Sequence, residues 1–162
     1  MNKQRKIIFL DHNGVMYIKK HPCPGYLDLF DKNKIILLNK ILHTIKDVEI
    51  VVSSDWRFWV NLATMKQFYI QQGIQPPVDY TTHVSKPYYG SMEHSRAHEI
   101  NNWLKKNGDV THWVAIDDLD MTPYLSNFVK TNYSFNMEIN SDNESSIGLT
   151  LENINSILKY LI

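Results

Sequence analysis

The chain predicts an α/β fold, a parallel sheet carrying helices on both faces, on three observations. Short apolar segments rich in β-branched or aromatic residues recur along it, and helix-length stretches with apolar spacing near three and four lie between them. Polar residues follow directly on the carboxyl ends of several of those segments. Strands alternating with helices build a layered sheet with right-handed crossovers.

The first segment, Ile7 to Leu10, follows the basic head Met1-Asn2-Lys3-Gln4-Arg5-Lys6. It is too short for a signal peptide or a membrane helix and reads as a first strand. Ile35, Leu38, Ile41, Leu42 and Ile45 then mark a helix, and Glu49 to Val52 a second strand. Phe58, Leu62, Met65 and Tyr69 mark the next helix, which Gln72-Gly73-Ile74-Gln75-Pro76-Pro77 breaks. Asp79 to Ser95 lacks periodicity and is expected to be a long loop beside the site. Ile100, Trp103 and Leu104 mark a third helix, followed by strands at His112 to Ile116 and Phe128 to Thr131. Asn140 to Ser146 reads as an exposed polar loop. A terminal helix follows Gly148-Leu149-Thr150, with Thr150 as N-cap and Ile154, Ile157, Leu158 and Leu161 as its apolar face.

Composition limits the function classes. The 162 residues suit one domain spanning 1–162, with no internal repeat or linker. With 43% hydrophobic and 21% charged residues, and mean hydropathy −0.33, the chain reads as soluble and globular, with no membrane partner expected. Seventeen basic and seventeen acidic residues cancel, so an anionic substrate must be captured locally rather than by whole-molecule attraction. Cys23 is the lone cysteine, which excludes an intrachain disulfide framework and a Cys-rich zinc site. It fits a reducing, cytoplasmic compartment. Of the seven histidines only His94 and His98 stand at His-x-x-x-His spacing, with no cysteine pair to complete a zinc site, and His12, His94 and His98 read as site-edge or surface groups.

Ligands of an open parallel sheet collect at the carboxyl ends of its strands, where the polar residues of this chain converge. Asp11 ends the first strand and is followed by His12, Asn13 and Gly14. A carboxylate there can attack phosphorus while neighbouring backbone N–H groups hold the phosphate, although a strand-ending Asp is more often a turn former. Ser53 and Ser54 follow the second strand as a hydroxyl and backbone anion site, or equally as a simple N-cap. Asp117 and Asp118 at another strand end would repel one another unless a cation or proton lies between them. With Asp11 they form an oxygen-only ligand set suited to Mg²⁺. Arg96 lies near a helix N-terminus, a poor dipole match that a facing phosphate would relieve; a solvated surface arginine is the equal alternative. Lys86 is a second candidate for that role.

The ordered series Asp11-His12-Asn13-Gly14-Val15, Val52-Ser53-Ser54-Asp55-Trp56-Arg57, Arg96 before Glu99-Ile100-x-x-Trp103-Leu104, and Asp117-Asp118 resembles the haloacid dehalogenase (HAD) superfamily. More narrowly it resembles the small phosphatase domains of RNA-repair proteins, in which Ser-x-x-Trp-Arg and a late Gly-Leu-Thr, here Gly148-Leu149-Thr150, also occur. The resemblance implies a three-layer Rossmann-like fold with minimal or no cap, and a Mg²⁺-dependent phosphomonoesterase working through an aspartyl-phosphate. It makes Asp11 the nucleophile, Ser53 a ligand of the phosphoryl oxygens, and Arg96 or Lys86 the neutralising cation. His12, Gly14, Ser54 and Arg57 complete the expected substrate site. Asp11, the residue 13 carbonyl, Asp117 and Asp118 are the expected metal ligands.

Position 13 departs from the pattern, because superfamily phosphatases carry there an aspartate that acts as general acid and then base. Asn13 cannot exchange that proton, so both chemical steps should slow, each by about 10²–10⁴-fold. Three explanations fit: an engineered substrate trap, a natural binding protein descended from an enzyme, and a phosphotransferase that needs no efficient hydrolysis. The intact remainder favours a phosphatase scaffold in impaired form, with a non-catalytic phosphate-binding module as the alternative.

The nineteen residues Met16–Lys34 and the seventeen of Asp79–Ser95 are too few for a cap domain, though the first could form a short hairpin over the site. An open cleft admits bulky substrates such as a nucleic-acid end or a phosphoprotein, and nucleic-acid ends or nucleotides are the expected substrates. Trp56, Trp59, Tyr88 and Tyr89, with Lys19, Lys20, Arg57 and Lys86, would stack on bases and contact phosphates, with at least one tryptophan expected in the core.

Overall fold

The computed structural model describes residues 4–19, 25–84 and 90–162. Lys20, Cys23, Lys86, Tyr88 and Tyr89, named above as candidates, lie outside them.

Five parallel strands form one sheet: β1 (Arg5–Leu10), β2 (Val48–Val52), β3 (Asp79–Tyr80), β4 (Val110–Asp117) and β5 (Phe128–Lys130), in the spatial order β3-β2-β1-β4-β5. Four helices connect and flank them: α1 (Lys32–Thr44), α2 (Leu62–Gln71), α3 (Met92–Lys106) and α4 (Leu151–Leu161). The α/β fold with a parallel sheet is therefore present as predicted. β3 is an addition to it. This two-residue edge strand pairs Val51 with Asp79 and Val52 with Tyr80 inside the stretch read as loop, and Asp-Tyr is too short to show alternation.

The alternation of β1 separates two apolar layers, because successive side chains of a strand point to opposite faces. Ile8 and Leu10 pack with Leu38 and Ile41 of α1, Met65 and Tyr69 of α2, and Ile154 and Ile157 of α4. Ile7 and Phe9 face the other way, onto Ala97, Ile100 and Trp103 of α3. The Phe9 ring meets those of Trp103 and Trp113 edge-on, with centroids 5.4 and 6.0 Å away. All four β1 side chains are completely buried, and each contributes about 1.5–3 kcal/mol by leaving water.

Helix starts follow local chemistry. Asp31 caps α1 by accepting from the Asn33 and Lys34 amides, and Asn61 and Ser91 cap α2 and α3. Thr150 caps α4 as expected, in a reciprocal box with Asn153. Ahead of α2, Asp55–Phe58 form a short 3₁₀ turn rather than the start of the helix, capped by the Ser54 side chain. Residues 20–24, where a hairpin in Met16–Lys34 would turn, lie outside the described residues; on either side of them the Asp31 amide donates to the Met16 carbonyl at 2.9 Å.

Sheet order decides where a ligand can collect. From β1 the chain runs outward through β2 to β3, then crosses to β4 and β5 on the other side of β1. That reversal opens a crevice at the carboxyl ends of β1 and β4.

Candidate active site

Asp11 lies one residue beyond β1, its amide donating to the Ile116 carbonyl of β4 at 3.1 Å. That register brings it level with Asp117, and Asp118 follows. Oxygens of Asp11, Asp117 and Asp118 all lie within 4.8 Å of one another. Asp11 and Asp117 are buried, and Asp118 is half-buried.

Arg96 answers this charge from the first turns of α3. Its Nη1 donates to Asp117 Oδ2 at 2.9 Å and stands 3.4 Å from Asp11 Oδ2, while Nη2 donates to Asp55 Oδ1 at 2.8 Å. The guanidinium thus faces three carboxylates, which hold it charged against the opposing effect of burial. Among the described residues Arg96 is the one cation paired with the cluster, and alone it does not neutralise it. Burial and Asp117 raise the Asp11 carboxyl well above the ordinary carboxylate range, with Arg96 working the other way. Burial and the Asp117 charge push Asp118 up to about 6. Such a set of hard oxygen donors, under-compensated by its one arginine, fits a divalent cation.

The turn between Asp11 and Tyr17 is tightly fixed. The His12 carbonyl accepts from the amides of Val15, Met16 and Tyr17, and the Gly14 amide donates to the Tyr17 carbonyl. Gly14 has φ +74°, and a Cβ there would stand 2.8 Å from both Asp118 Cγ and Tyr133 Cδ1. Thr131 Oγ1 donates to the Gly14 carbonyl at 2.7 Å. The late Gly148-Leu149-Thr150 segment buttresses the same turn: the Leu149 amide donates to the Val15 carbonyl, and a Cβ on Gly148 would stand 2.7 Å from that oxygen.

The remaining expected site residues separate into two groups. Ser53 is buried beside β1, its amide donating to the Leu10 carbonyl at 3.1 Å. Asn13 is half-buried, with its side-chain oxygen accepting from the Trp56 indole N–H at 3.1 Å. Ser53 thus stands beside the end of β1, and Asn13 lies two residues beyond Asp11.

His12, Ser54 and Arg57 are turned to other tasks. The His12 ring is fully enclosed by Phe30, Trp56 and Tyr69, with Nε2 2.7 Å from the Tyr69 hydroxyl, and burial lowers its pKa to about 3. It is a core histidine rather than a site-edge group. Ser54 Oγ accepts from the Trp56 amide, which is the N-cap alternative. Arg57 donates to the carbonyls of Ser53, Ser54 and Thr81 and to Glu99 Oε2, so its guanidinium braces the Ser53 turn from beneath.

Trp56 is completely buried, which removes it from any base-stacking surface, while Trp59 stacks on it at 5.3 Å and is half-buried. Lys19 is exposed beside Asp28. His94 stacks on Tyr124 at 4.2 Å, near the Arg96 end of α3. Three contributors to the site were not singled out from sequence: Asp55, which holds Arg96; Glu99, which holds Arg57; and Tyr133, which touches the Gly14 turn. Asp55 and Glu99 both lie inside the quoted motifs, so their positions were visible although their partners were not.

Residues 7–139 match the family described as the HAD domain in Swiss Army Knife RNA repair proteins. The chain belongs to this family. The match runs from β1 through the sheet and every residue of the acidic cluster, and ends before the Gly148-Leu149-Thr150 buttress. Neither the curated proteins nor the solved structures provide a match. Membership of the HAD family supports a phosphatase-type hydrolase scaffold; the family typically uses a metal, and the acidic cluster of Asp11, Asp117 and Asp118 could hold one. No helix among the described residues is long and apolar enough to cross a membrane.

Proposed function

We propose that the protein is a Mg²⁺-dependent phosphomonoesterase of the HAD type, with Asp11 as nucleophile and with turnover restrained by Asn13. The observation that carries this reading is the single guanidinium of Arg96 set between Asp11 and Asp117, with Asp118 close by. A lone buried carboxylate would be neutralised by one arginine. Three leave an excess of negative charge suited to a cation and, through it, to a phosphate.

Asp11, Asp117, Asp118 and the Asn13 carbonyl would hold the metal, which when bound offsets the charge of the phosphoryl group beside the nucleophile. Attack by an Asp11 oxygen on phosphorus forms the aspartyl-phosphate as the ester oxygen departs; water then cleaves the acyl-phosphate bond, restoring Asp11 and releasing phosphate. Ser53 offers its hydroxyl to the phosphoryl oxygens, and Arg96 offers positive charge. Asn13 neither protonates the leaving oxygen nor activates the water, so both steps run about 10²–10⁴-fold below those of an acid-equipped site. The family's place among RNA repair proteins supports a phosphorylated nucleic-acid end or nucleotide as substrate.

Asn13→Asp should yield Mg²⁺-dependent release of phosphate from para-nitrophenyl phosphate, abolished by adding Asp11→Asn. A panel with 5′- and 3′-phosphorylated oligonucleotides then ranks substrates. No release by Asn13→Asp from any member of the panel overturns the reading in favour of a phosphate-binding module.

A further inference from the structure

The Trp56 indole N–H lies 3.1 Å from the Asn13 side chain. An indole nitrogen donates and never accepts, so the atom of Asn13 that meets it is the carbonyl oxygen, whichever way an amide could otherwise be turned. The NH₂ group is thereby directed away from Trp56. Trp56 itself cannot adjust, being completely buried, stacked on Trp59 and set edge-on against His12 and Tyr17.

We infer that Trp56 is a positioning residue that makes Asn13 a fixed hydrogen-bond donor to a phosphoryl group bound over Asp11, an inference that rests on the phosphate-handling function proposed above. An unrestrained asparagine could present either oxygen or nitrogen to an anion, and the oxygen face would repel it. With the oxygen engaged by Trp56, the cleft meets the donor face. The amide then adds a neutral donor to a site whose other side chains are mostly carboxylates, and it favours holding the phosphoryl group over transferring protons to or from it. This assigns a task to the tryptophan of the Ser53-Ser54-Asp55-Trp56-Arg57 run distinct from that of its neighbour: Arg57 braces the turn through backbone carbonyls, while Trp56 sets the amide at the mouth.

The test is a double-mutant cycle on the affinity for inorganic phosphate with Mg²⁺, measured by calorimetry on the full chain. Asn13→Ala and Trp56→Phe should each weaken binding about 10-fold or more, the scale of a hydrogen bond to a charged group. Trp56→Phe should add nothing in the Asn13→Ala background. An equal loss in both backgrounds means that Trp56 acts through the fold, and no loss in either single variant means that the amide does not reach phosphate; each result overturns the inference. Failure of the unmutated chain to bind phosphate removes the underlying functional reading as well, which separates the two failures. Should Trp56→Phe not fold, the indole proton resonance of Trp56 carries the test. It should move upfield in Asn13→Ala, and an unchanged resonance overturns the inference.

Discussion

Arg57 and Glu99, 42 residues apart in sequence, meet beneath the site at 2.6 Å with both side chains almost wholly buried. Glu99 also accepts from the Val84 amide and stands 3.2 Å from His83 Nδ1, while Arg57 holds the carbonyls of Ser53 and Ser54. The pair therefore ties α3 to the turn that presents Ser53. Glu99→Ala leaves the buried Arg57 guanidinium with only the longer, 3.6 Å contact to the half-exposed Asp55 and should cost about 3 kcal/mol in a denaturant titration. Arg57→Met combined with Glu99→Leu should cost less than Glu99→Ala alone, because no buried charge is left over.

The Asp118 carboxyl, pushed up to about 6, makes a prediction about pH in metal-free buffer. Between its ordinary value of 3.8 and about 6 the folded state binds more protons than the unfolded one. Its contribution is then present below 3.8 and lost as pH rises through 6. Asp118→Asn should accordingly melt at a higher temperature than the unmutated chain at pH 7, and at a similar one at pH 4. Equal melting at pH 7, with chelator present, would contradict the raised value.

His12 acts in the opposite direction. Burial and the nearby Arg96 charge hold its imidazole neutral down to about 3, whereas the unfolded chain protonates it near 6.5. The unfolded state thus binds the extra proton across that window, and stability is full above 6.5 and lost as pH falls towards 3, at roughly 1.4 kcal/mol per pH unit. His12→Phe, which keeps a ring among Phe30, Trp56 and Tyr69, should flatten the acid limb of the stability curve between pH 6 and 4. A slope unchanged by the substitution would show that His12 is not the titrating group.

What the sequence revealed and what it hid follow from the range of each interaction. Asp11 and Asp117-Asp118 were legible because each ends an apolar segment and parallel pairing brings strand ends together, whereas Arg96 was offered only by its dipole mismatch and equally as a surface arginine. β3 was not legible, because two residues carry no periodicity. The roles of His12 and Arg57 were not, since they depend on Tyr69 and Glu99, neither of which is near in sequence. The burial of Trp56 was legible only in part, since at least one tryptophan was expected in the core but the sequence did not say which. The capping role of Thr150 was readable because its partner, Asn153, is three residues away.

Gly14 and Gly73 provide a matched comparison for the last prediction, because both have positive φ, +74° and +72°. An alanine at either pays the left-handed backbone strain of about 1–2 kcal/mol. At Gly73 the added Cβ meets nothing within 4 Å, whereas at Gly14 it overlaps Asp118 and Tyr133 at 2.8 Å. Overlap in a packed site costs about 1–3 kcal/mol more, and relief requires moving the Asp118 carboxylate away from Asp11 and Asp117. Gly14→Ala should therefore lose more stability than Gly73→Ala in urea and should also lose Mg²⁺-dependent phosphate binding, which Gly73→Ala retains. Equal losses would show that backbone strain alone accounts for the glycine at position 14, and that the approach of Asp118 to the Asp11–Gly14 turn is not what requires it.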